Sequence, residues 1–463
     1  MSVLKDKFMA GMVVLAVLAT ACDQWVEDWD DDELYADPNQ PVEVSIDQLM
    51  TAVQVSSFFF LEGQLSRTAA IWTQQMSGTD RQFIGLGQFD YNNQDWGNEW
   101  FLIHGGGGLI DIREIYAKAE AQDRSHYAGI GKIWEAVIIG MSASMWGDIP
   151  YTEAANPNIM EPVFDDMADI YADLHALLDE AIADLSVTDG GTGPGGNDFI
   201  YGGDTESWID AAYTLKARLY MHWAEADPAN YALALAAANN GISSLDGSFR
   251  TRHGESVPEA TGWSQFLNQR SGYISGGGYL IRLLESLSDP RLNIYFANAA
   301  DTNIVIGSDP GDANTAASSL NPDYYGAPEW SFDVLSYEEN QLIIAECENH
   351  AGNDAAALAA LNNVRTALEE KWGLSAGTYP PLTGLTGDVL KDAILEEKYI
   401  SLFLNMEVYN DYKRTCYPYD LTDYTWQGDD LPSRLLYAQR EHDTNSNTPT
   451  DPTRNDNDPN ACP

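Results

Sequence analysis

The stretch YAGIGKIWEAVIIGMSASMWGDIPYTEA, from Tyr127 to Ala154, decides the fold. Its large apolar residues recur at helical spacing, while Gly, Ala and Ser occupy flanking positions where neighbouring helices can approach closely. This pattern predicts a long helix in the core. Gly147 is well placed to form a left-handed C-cap at the end of that helix, and Pro150 prevents the helix from continuing. We therefore expect the chain to turn at WGDIPY, Trp146 to Tyr151.

Apolar residues at helical spacing recur on both sides of this stretch and predict an all-α fold. Several predicted helices are neighbours in sequence and can pack as antiparallel pairs. They are similar to tetratricopeptide units, although the spacing of that repeat is not regular here. We expect one domain over residues 45–463, with its helical scaffold at about 45–245 and 332–405. The predicted helices span residues 45–63, 101–121, 127–146, 163–185, 208–225, 231–245, 337–351, 355–370 and 389–404.

Three segments lack a helical period. Residues 71–100 are polar and aromatic, residues 246–331 are rich in Gly, Ser, Asn, Pro and aromatics, and residues 406–463 are loop-rich. The middle segment is far longer than a typical loop, so it must have its own packed structure or be built onto the scaffold. Long loops on a rigid scaffold often carry function. We therefore expect the ligand-facing part of the molecule in these segments.

The amino terminus has the pattern of a processed export signal. Two lysines precede an apolar run from Phe8 to Ala21 that is shorter than the roughly 20 residues needed to span a membrane. We interpret residues 1–21 as a signal peptide. Small residues before Cys22 are typical of a bacterial lipobox, which predicts lipidation of Cys22; the alternative is a cysteine after a plain secretory cleavage site. Residues 22–44 then form an acidic tether.

The net charge of the chain indicates which classes of partner it can bind. The chain has 71 acidic and 24 basic residues, a formal net charge of −47. Such a surface repels phosphate backbones, so we expect no nucleic-acid partner. It is typical of a secreted or salt-adapted protein. The chain also contains 24 Tyr and 13 Trp, which suit both carbohydrate stacking and a large core.

The motifs of common catalytic sites are missing from the sequence. The four glycines from Gly105 to Gly108 lack the Lys and Ser/Thr of a phosphate-binding loop. The seven His form no HExxH motif, and no GxSxG elbow occurs. Carboxylate pairs are uninformative in so acidic a chain. We predict no catalytic residue, no metal and no cofactor.

Three cysteines remain if Cys22 is lipidated. A secreted compartment permits a disulfide, and Cys416 with Cys462 is the pair that we would test. Cys347 lies on an apolar helix face and is predicted to be a small buried residue.

The aromatic loops supply the candidates for ligand contact. A sugar or similar solute is held by an aromatic platform together with amide and carboxylate hydrogen bonds. Each such residue is more often structural than ligand-binding, so we treat them as a pool. The pool comprises Tyr91, Asn93, Asp95, Trp96, Trp263, Tyr273, Tyr279 and Trp330.

Several segments in order resemble the SusD/RagB family of nutrient-binding outer-membrane lipoproteins, and more closely its SusD-like branch. The resemblance spans nearly the whole mature chain and rests on several motifs jointly. They are DPNQP at 37–41, WGDIPY at 146–151, IYGGDTESWIDAAYTLKARLYMH at 200–222, LLESLSDPRL at 283–292, YEENQLIIAECENHAG at 337–352, EEKYISLFLNMEVYNDYKRTCYP at 396–418 and LPSRLLY at 431–437. Departures from the family pattern are Ala438 in place of Pro, AEC at 345–347 in place of AEA, and Tyr409 and Tyr412 in place of Trp.

The resemblance implies a helical scaffold with an irregular ligand-facing part. It also implies that the chain is not an enzyme but a surface-exposed lipoprotein that delivers a nutrient, an oligosaccharide in our reading, to a SusC-like TonB-dependent transporter. The acidic run behind Cys22 resembles the signal for display on the outer cell surface in Bacteroidota. The alternatives are a peptide or another solute in the same role, a glycan hydrolase, and a helical-repeat adaptor that binds only protein.

Overall fold

The structure is a computed structural model that describes residues 44–421 and 431–451. The described residues from Ile46 onward form one compact unit built mainly from α-helices, which confirms the predicted fold class. The helices are α1 Ile46–Glu62, α2 Gln64–Trp72, α3 Gln82–Gly87, α4 Gly97–His104, α5 Leu109–Gln122, α6 Ser125–Trp146, α7 Met167–Ser186, α8 Thr205–Met221, α9 Ala229–Ala238, α10 Gly262–Gln269, α11 Gly278–Leu287, α12 Arg291–Tyr295, α13 Tyr337–His350, α14 Asp354–Lys371, α15 Gly387–Ser401, α16 Glu407–Thr415 and α17 Gln439–Thr444. The strands are β1 Met76–Gly78, β2 Phe249–Arg250, β3 Ile274–Gly276 and β4 Asp333–Leu335.

Helix α6 is the central helix, as the opening stretch predicts. Nearly every residue from Gly129 to its end is buried. Its glycines permit close approach of neighbours. A β-carbon at Gly129 would lie 2.7 Å from Leu185 of α7, and one at Gly140 would lie 2.9 Å from Leu219 of α8. The small residues of this helix therefore set how closely α7 and α8 pack against it.

The WGDIPY turn connects α6 to α7. Gly147 has φ +85° and ψ −120°, so the predicted left-handed C-cap is wrong: φ is positive, but ψ lies outside the left-handed helical region. The Asp148 carboxylate accepts a hydrogen bond of 2.9 Å from the backbone N–H of Met167, the first residue of α7. Ile149 forms a bridge with Asp165. The turn thus fixes where the next helix begins.

The later helices pack as the predicted pairs. Helix α8 packs on α9, α13 packs on α14 and α15, and α9 also contacts α13. Arg218 of α8 and Glu339 of α13 form a buried ion pair with a 2.6 Å contact between Nε and Oε1. This pair joins two helix pairs that are far apart in sequence. Helix α9 ends at Ala238, earlier than the predicted residue 245.

The prediction that a helix resumes after the four glycines, within residues 101–121, is confirmed by α5, which begins at Leu109, while residues 101–104 belong to the separate helix α4. The chain forms α4 and α5, which the four glycines separate. Gly107 has φ +78°, and a β-carbon there would lie 2.3 Å from the Ser56 side chain of α1. A side chain at this position would overlap α1, and the positive φ also favours glycine, so the turn between α4 and α5 depends on Gly107.

The segments expected to be irregular contain short regular elements. Helices α10, α11 and α12 lie within residues 246–331, and α16 and α17 lie within the segment expected to be loop-rich. Strand β1 pairs antiparallel with β3, and β2 pairs antiparallel with β4. The middle segment is therefore built onto the scaffold at both ends. These helices are too short for their apolar period to stand out in the sequence.

Several predictions fall outside the described residues. They are the signal peptide at 1–21, lipidation of Cys22, nearly all of the tether at 22–44, and Cys462. Cys416 is disulfide-bonded, but its expected partner is among these residues. Cys347 is buried, as predicted, and burial raises the pKa of its thiol to about 12. In the described part of the chain, no helix has the length and apolar character needed to cross a membrane.

Candidate ligand-binding site

Three of the predicted contact residues belong to the core. Tyr91 is 8% exposed, and Trp96 and Trp263 are fully buried. The Trp96 and Tyr91 rings meet edge to face at 5.7 Å, while the Trp263 indole N–H donates to Ser66 of α2 at 3.0 Å. No face of these rings is open to a sugar in this structure. The prediction that Tyr91, Trp96 and Trp263 are candidates for ligand contact is therefore corrected: they are packing residues.

Asn93 and Asp95 stabilise the loop in which they lie. The Asn93 amide donates to the backbone oxygen of Tyr437 at 2.9 Å and to the Asp451 carboxylate at 2.7 Å. The Asp95 carboxylate accepts from the backbone N–H of Asn92 at 2.8 Å, as part of a capping box around a short 3₁₀ helix. Both polar groups already have partners within the protein.

Tyr273 and Tyr279 flank strand β3 and are half-buried. The Tyr273 ring lies 6.4 Å from that of Phe83 and 5.6 Å from the Arg81 guanidinium. The Tyr279 ring meets that of Tyr399 edge to face at 5.9 Å. Neither tyrosine lines the cavity that contains Trp330, so the predicted residues do not all converge on one cavity.

Trp330 is the predicted residue that lines a large cavity. We call this cavity, of about 600 Å³, the Trp330 pocket. Its floor contains the ends of the paired strands β2 and β4, and its walls are the 323–331 turn and the end of α14. The lining residues are Leu245, Asp246, Arg250, Arg252, Asp323, Ala327, Glu329, Trp330, Ser331, Asp333, Glu370, Lys371 and Trp372.

An aromatic cluster forms one side of the Trp330 pocket. Trp330 and Trp372 stack nearly parallel, with 6.0 Å between ring centroids and 7° between planes. Tyr324 meets both indoles edge to face at 6.0 Å. Trp372 is the C-cap residue of α14 and is buried, whereas Trp330 and Tyr324 are half-buried. The surrounding rings therefore fix the orientation of Trp330 before any ligand arrives.

A charged network forms the base of the same pocket. Asp333 accepts from Arg250 at 2.6 Å and from Lys371 at 2.8 Å, and Lys371 also donates to Glu338 at 2.7 Å. Burial by itself raises the pKa of Asp333, but the two adjacent cations more than offset this effect and hold the pKa below its usual value. Asp333 therefore stays ionised and serves to position the two cations.

A second pocket was missed by the sequence analysis. We call it the Phe59 pocket; it has a volume of about 500 Å³ and is mainly apolar. Phe59 is 45% exposed and Phe199 is 37% exposed, and both line it. The sequence carries a signal for this site in the run Phe58 to Phe60. Successive helical residues differ by about 100° in direction, so three consecutive phenylalanines cannot all face the core.

A third cavity, of about 740 Å³, lies between α4, α5 and the segment after WGDIPY. It contains Phe101, which is 52% exposed, and Met160, which is 85% exposed. It holds none of the predicted contact residues.

The residues that line these cavities are suited to binding a ligand. Within residues 44–421 and 431–451, no three His, Cys, Asp or Glu side chains are grouped so that they could hold a metal ion. The Trp330 pocket combines an aromatic surface with fixed charges, which is the combination that holds a polar solute with apolar faces, such as a sugar.

Comparison with known proteins supports a binding role. A family model for SusD-like proteins, described as starch-binding and associating with the outer membrane, matches residues 38–438. A search of curated proteins returns no match.

Solved structures share the fold. A SusD/RagB family protein from Bacteroides thetaiotaomicron is 22% identical, with a TM-score of 0.69, and the match covers 88% of this chain and 95% of that one. A chitin-binding SusD homologue from Flavobacterium johnsoniae is 19% identical, with a TM-score of 0.70 and coverage of 86% and 92%. A further SusD-like protein from B. thetaiotaomicron is 16% identical, with a TM-score of 0.72 and coverage of 87% and 93%.

The family model extends over most of the sequence, from before α1 to the start of α17, and the structural matches cover the same body. The chain therefore belongs to the SusD-like family, which is described as starch-binding and associating with the outer membrane.

Proposed function

We propose that this protein binds an oligosaccharide in the Trp330 pocket and delivers it to a SusC-like TonB-dependent transporter. We further propose that it does so as a lipoprotein, anchored through Cys22 and facing the cell exterior. The observation that carries the binding proposal is the stacked pair of Trp330 and Trp372, 6.0 Å apart, above a base of fixed charges.

The geometry supports a sugar as the ligand. The C–H faces of a pyranose pack well on an aromatic surface, while its hydroxyls need donors and acceptors around the ring. The Trp330 pocket offers the aromatic surface on one side and the Arg250, Asp333 and Lys371 network on the other. The chitin-binding relative makes an aminosugar polymer a natural probe alongside starch fragments.

We propose binding rather than hydrolysis. A glycosidase needs a carboxylic acid whose pKa is raised so that it can protonate the leaving oxygen. The buried carboxylate at the base of the Trp330 pocket, Asp333, has a lowered pKa and contacts two cations. Release of reducing ends from a bound glycan, lost on Asp333→Asn, would overturn this part of the proposal.

Calorimetric titration with starch- and chitin-derived oligosaccharides, and with a peptide panel, tests the ligand class. Trp330→Ala is expected to weaken oligosaccharide binding about tenfold or more, because loss of an aromatic contact typically costs about 0.5–1.5 kcal/mol beyond the buried area. Phe101→Ala is the matched control, since Phe101 is an exposed aromatic in another cavity. Unchanged affinity in Trp330→Ala would place the site elsewhere, and binding of peptides alone would favour the other solute class.

Co-purification from an outer-membrane fraction tests the transporter and the anchor. We expect a large barrel protein to be recovered with the wild type, and we expect Cys22→Ala to leave the membrane fraction. Recovery without a barrel protein would overturn the delivery role. An unchanged membrane association of Cys22→Ala would overturn the lipid anchor.

A further inference from the structure

Arg252 lies where two cavities meet. It lines both the Trp330 pocket and the Phe59 pocket, and its side chain is exposed. It follows strand β2 by two residues, so the β2–β4 pairing fixes the backbone that carries it. The two cavities therefore share a wall at this residue.

Arg252 differs from the other basic residues of these cavities in having no partner. Arg250 and Lys371 are held by Asp333, and His253 contacts Glu62 at 2.7 Å. Among the residues that the structure describes, none offers the Arg252 guanidinium a hydrogen bond or an ion pair. Because the Arg252 side chain is exposed at the wall that the two cavities share, its guanidinium is accessible to a ligand in either cavity.

We propose that the Trp330 and Phe59 pockets form one groove for an acidic oligosaccharide, and that Arg252 binds its carboxylate or sulfate group. This inference rests on the proposed function and names the ligand class. Guanidinium pairs with two oxygens of a carboxylate, or of a tetrahedral oxyanion such as sulfate, through two parallel hydrogen bonds, which are among the stronger contacts available to a protein. The sugar on one side of the charged group would contact Trp330, and the sugar on the other side would contact Phe59 and Phe199.

The acidic residues around the groove determine where the anionic group lies. Asp323, Glu329 and Glu259 also line it, so an anionic group is disfavoured near them and favoured at Arg252. The net charge of −47 does not prevent such binding. Charges further apart than about 8 Å are largely screened at physiological ionic strength, whereas a direct contact is screened much less.

A binding panel tests this proposal. It contains uronate-bearing, sulfated and neutral oligosaccharides, including an oligogalacturonate and its methyl ester, which share one backbone and differ in charge. Wild type, Arg252→Gln and the control Lys118→Gln are titrated; Lys118 is a surface cation outside the groove, paired with Glu114. We expect the tightest ligands to be acidic. Arg252→Gln should weaken these about tenfold or more and change neutral ligands by about twofold or less, and Lys118→Gln should change neither.

Two results would overturn the inference. Neutral ligands could bind as tightly as their acidic counterparts, or Arg252→Gln could weaken both classes equally. If neutral oligosaccharides bind in a Trp330-dependent manner without preference for charge, the inference fails and the proposed function stands. If no oligosaccharide of any class binds, both fail.

Discussion

Trp96 and Trp330 have the same side chain in opposite surroundings. Trp96 is fully buried against Tyr91, whereas Trp330 is half-buried at the edge of a cavity of about 600 Å³. The sequence places both in polar, aromatic segments and provides no way to distinguish them. Whether an indole faces solvent depends on what other segments cover it, and those segments come from distant parts of the chain.

This difference gives a first prediction. Trp96→Ala should lower the free energy of unfolding by about 3–5 kcal/mol, because it leaves a large cavity in the core. Trp330→Ala should lower it by much less and should act mainly on ligand affinity. Urea denaturation followed by circular dichroism measures both. Equal losses of stability in the two variants would contradict the assignment of Trp96 to the core.

The contribution of Glu407 to the stability of the fold is expected to depend on pH. Its carboxylate contacts His222 at 2.9 Å and Arg218 at 3.7 Å in the core. Burial by itself would raise the pKa of Glu407, but the charge and hydrogen bond of His222, with the charge of Arg218, lower it from 4.5 to about 2. The folded-state pKa lies below the unfolded one, so this stabilisation is present above pH 4.5 and is lost as pH falls towards 2.

We expect Glu407→Gln to be less stable than the wild type by about 3–5 kcal/mol at neutral pH, since it removes one member of a buried charge cluster. The difference should shrink as pH falls from 4.5 towards 2. Urea denaturation at a series of pH values measures it. A difference that stays constant or grows over this range would show that Glu407 is not held ionised in the folded state.

At the scale of the element, the WGDIPY turn depends on one glycine. Gly147 has φ +85°, and a β-carbon there would lie 2.1 Å from the buried Arg434 guanidinium. Gly147→Ala should cost roughly 3 kcal/mol or more, because backbone strain and steric overlap each cost about 1–3 kcal/mol.

Gly352 is the matched control for this prediction. It also has a positive φ, of +78°, but a β-carbon there would meet nothing within 4 Å. Gly352→Ala should therefore cost only about 1–2 kcal/mol. Thermal and urea unfolding compare the two variants. Equal costs would mean that Arg434 moves aside and that the turn does not depend on this close approach.

The elements differ in how far they could be predicted. Helix α6 could be predicted because its apolar period continues over six turns and ends at a glycine and a proline. Helices α10 to α12 could not, since a helix of about one to three turns shows too little of its period. The β2–β4 pairing joins Phe249 to Leu335, and no local signal in the sequence reports such a pairing. The Trp330 pocket is built on that pairing, so its location could not be predicted from the sequence either.

At the scale of the whole molecule, charge is the dominant feature. A net charge of −47 at neutral pH destabilises the compact state through self-repulsion, and salt screens this repulsion. The Debye length shortens from about 30 Å at 0.01 M to about 8 Å at 0.15 M ionic strength. The Tm should therefore rise when sodium chloride is added over this range. Scanning calorimetry measures it, and a Tm that falls or stays constant would show that surface repulsion does not limit stability.

One of the eight candidate contact residues, Trp330, lines the cavity that we propose as the glycan site. This pocket is built by three segments that are far apart in the sequence. They contain Arg250, Trp330 and Trp372. The central claim is that this pocket is where a glycan binds.

The most direct test is a crystal structure with the tightest-binding oligosaccharide from the panel. We predict a sugar ring in contact with Trp330, with the remainder of the ligand extending past Arg252 towards Phe59. A glycan bound elsewhere, for instance beside Tyr273 or in the cavity that contains Phe101, with the Trp330 pocket empty, would contradict the account.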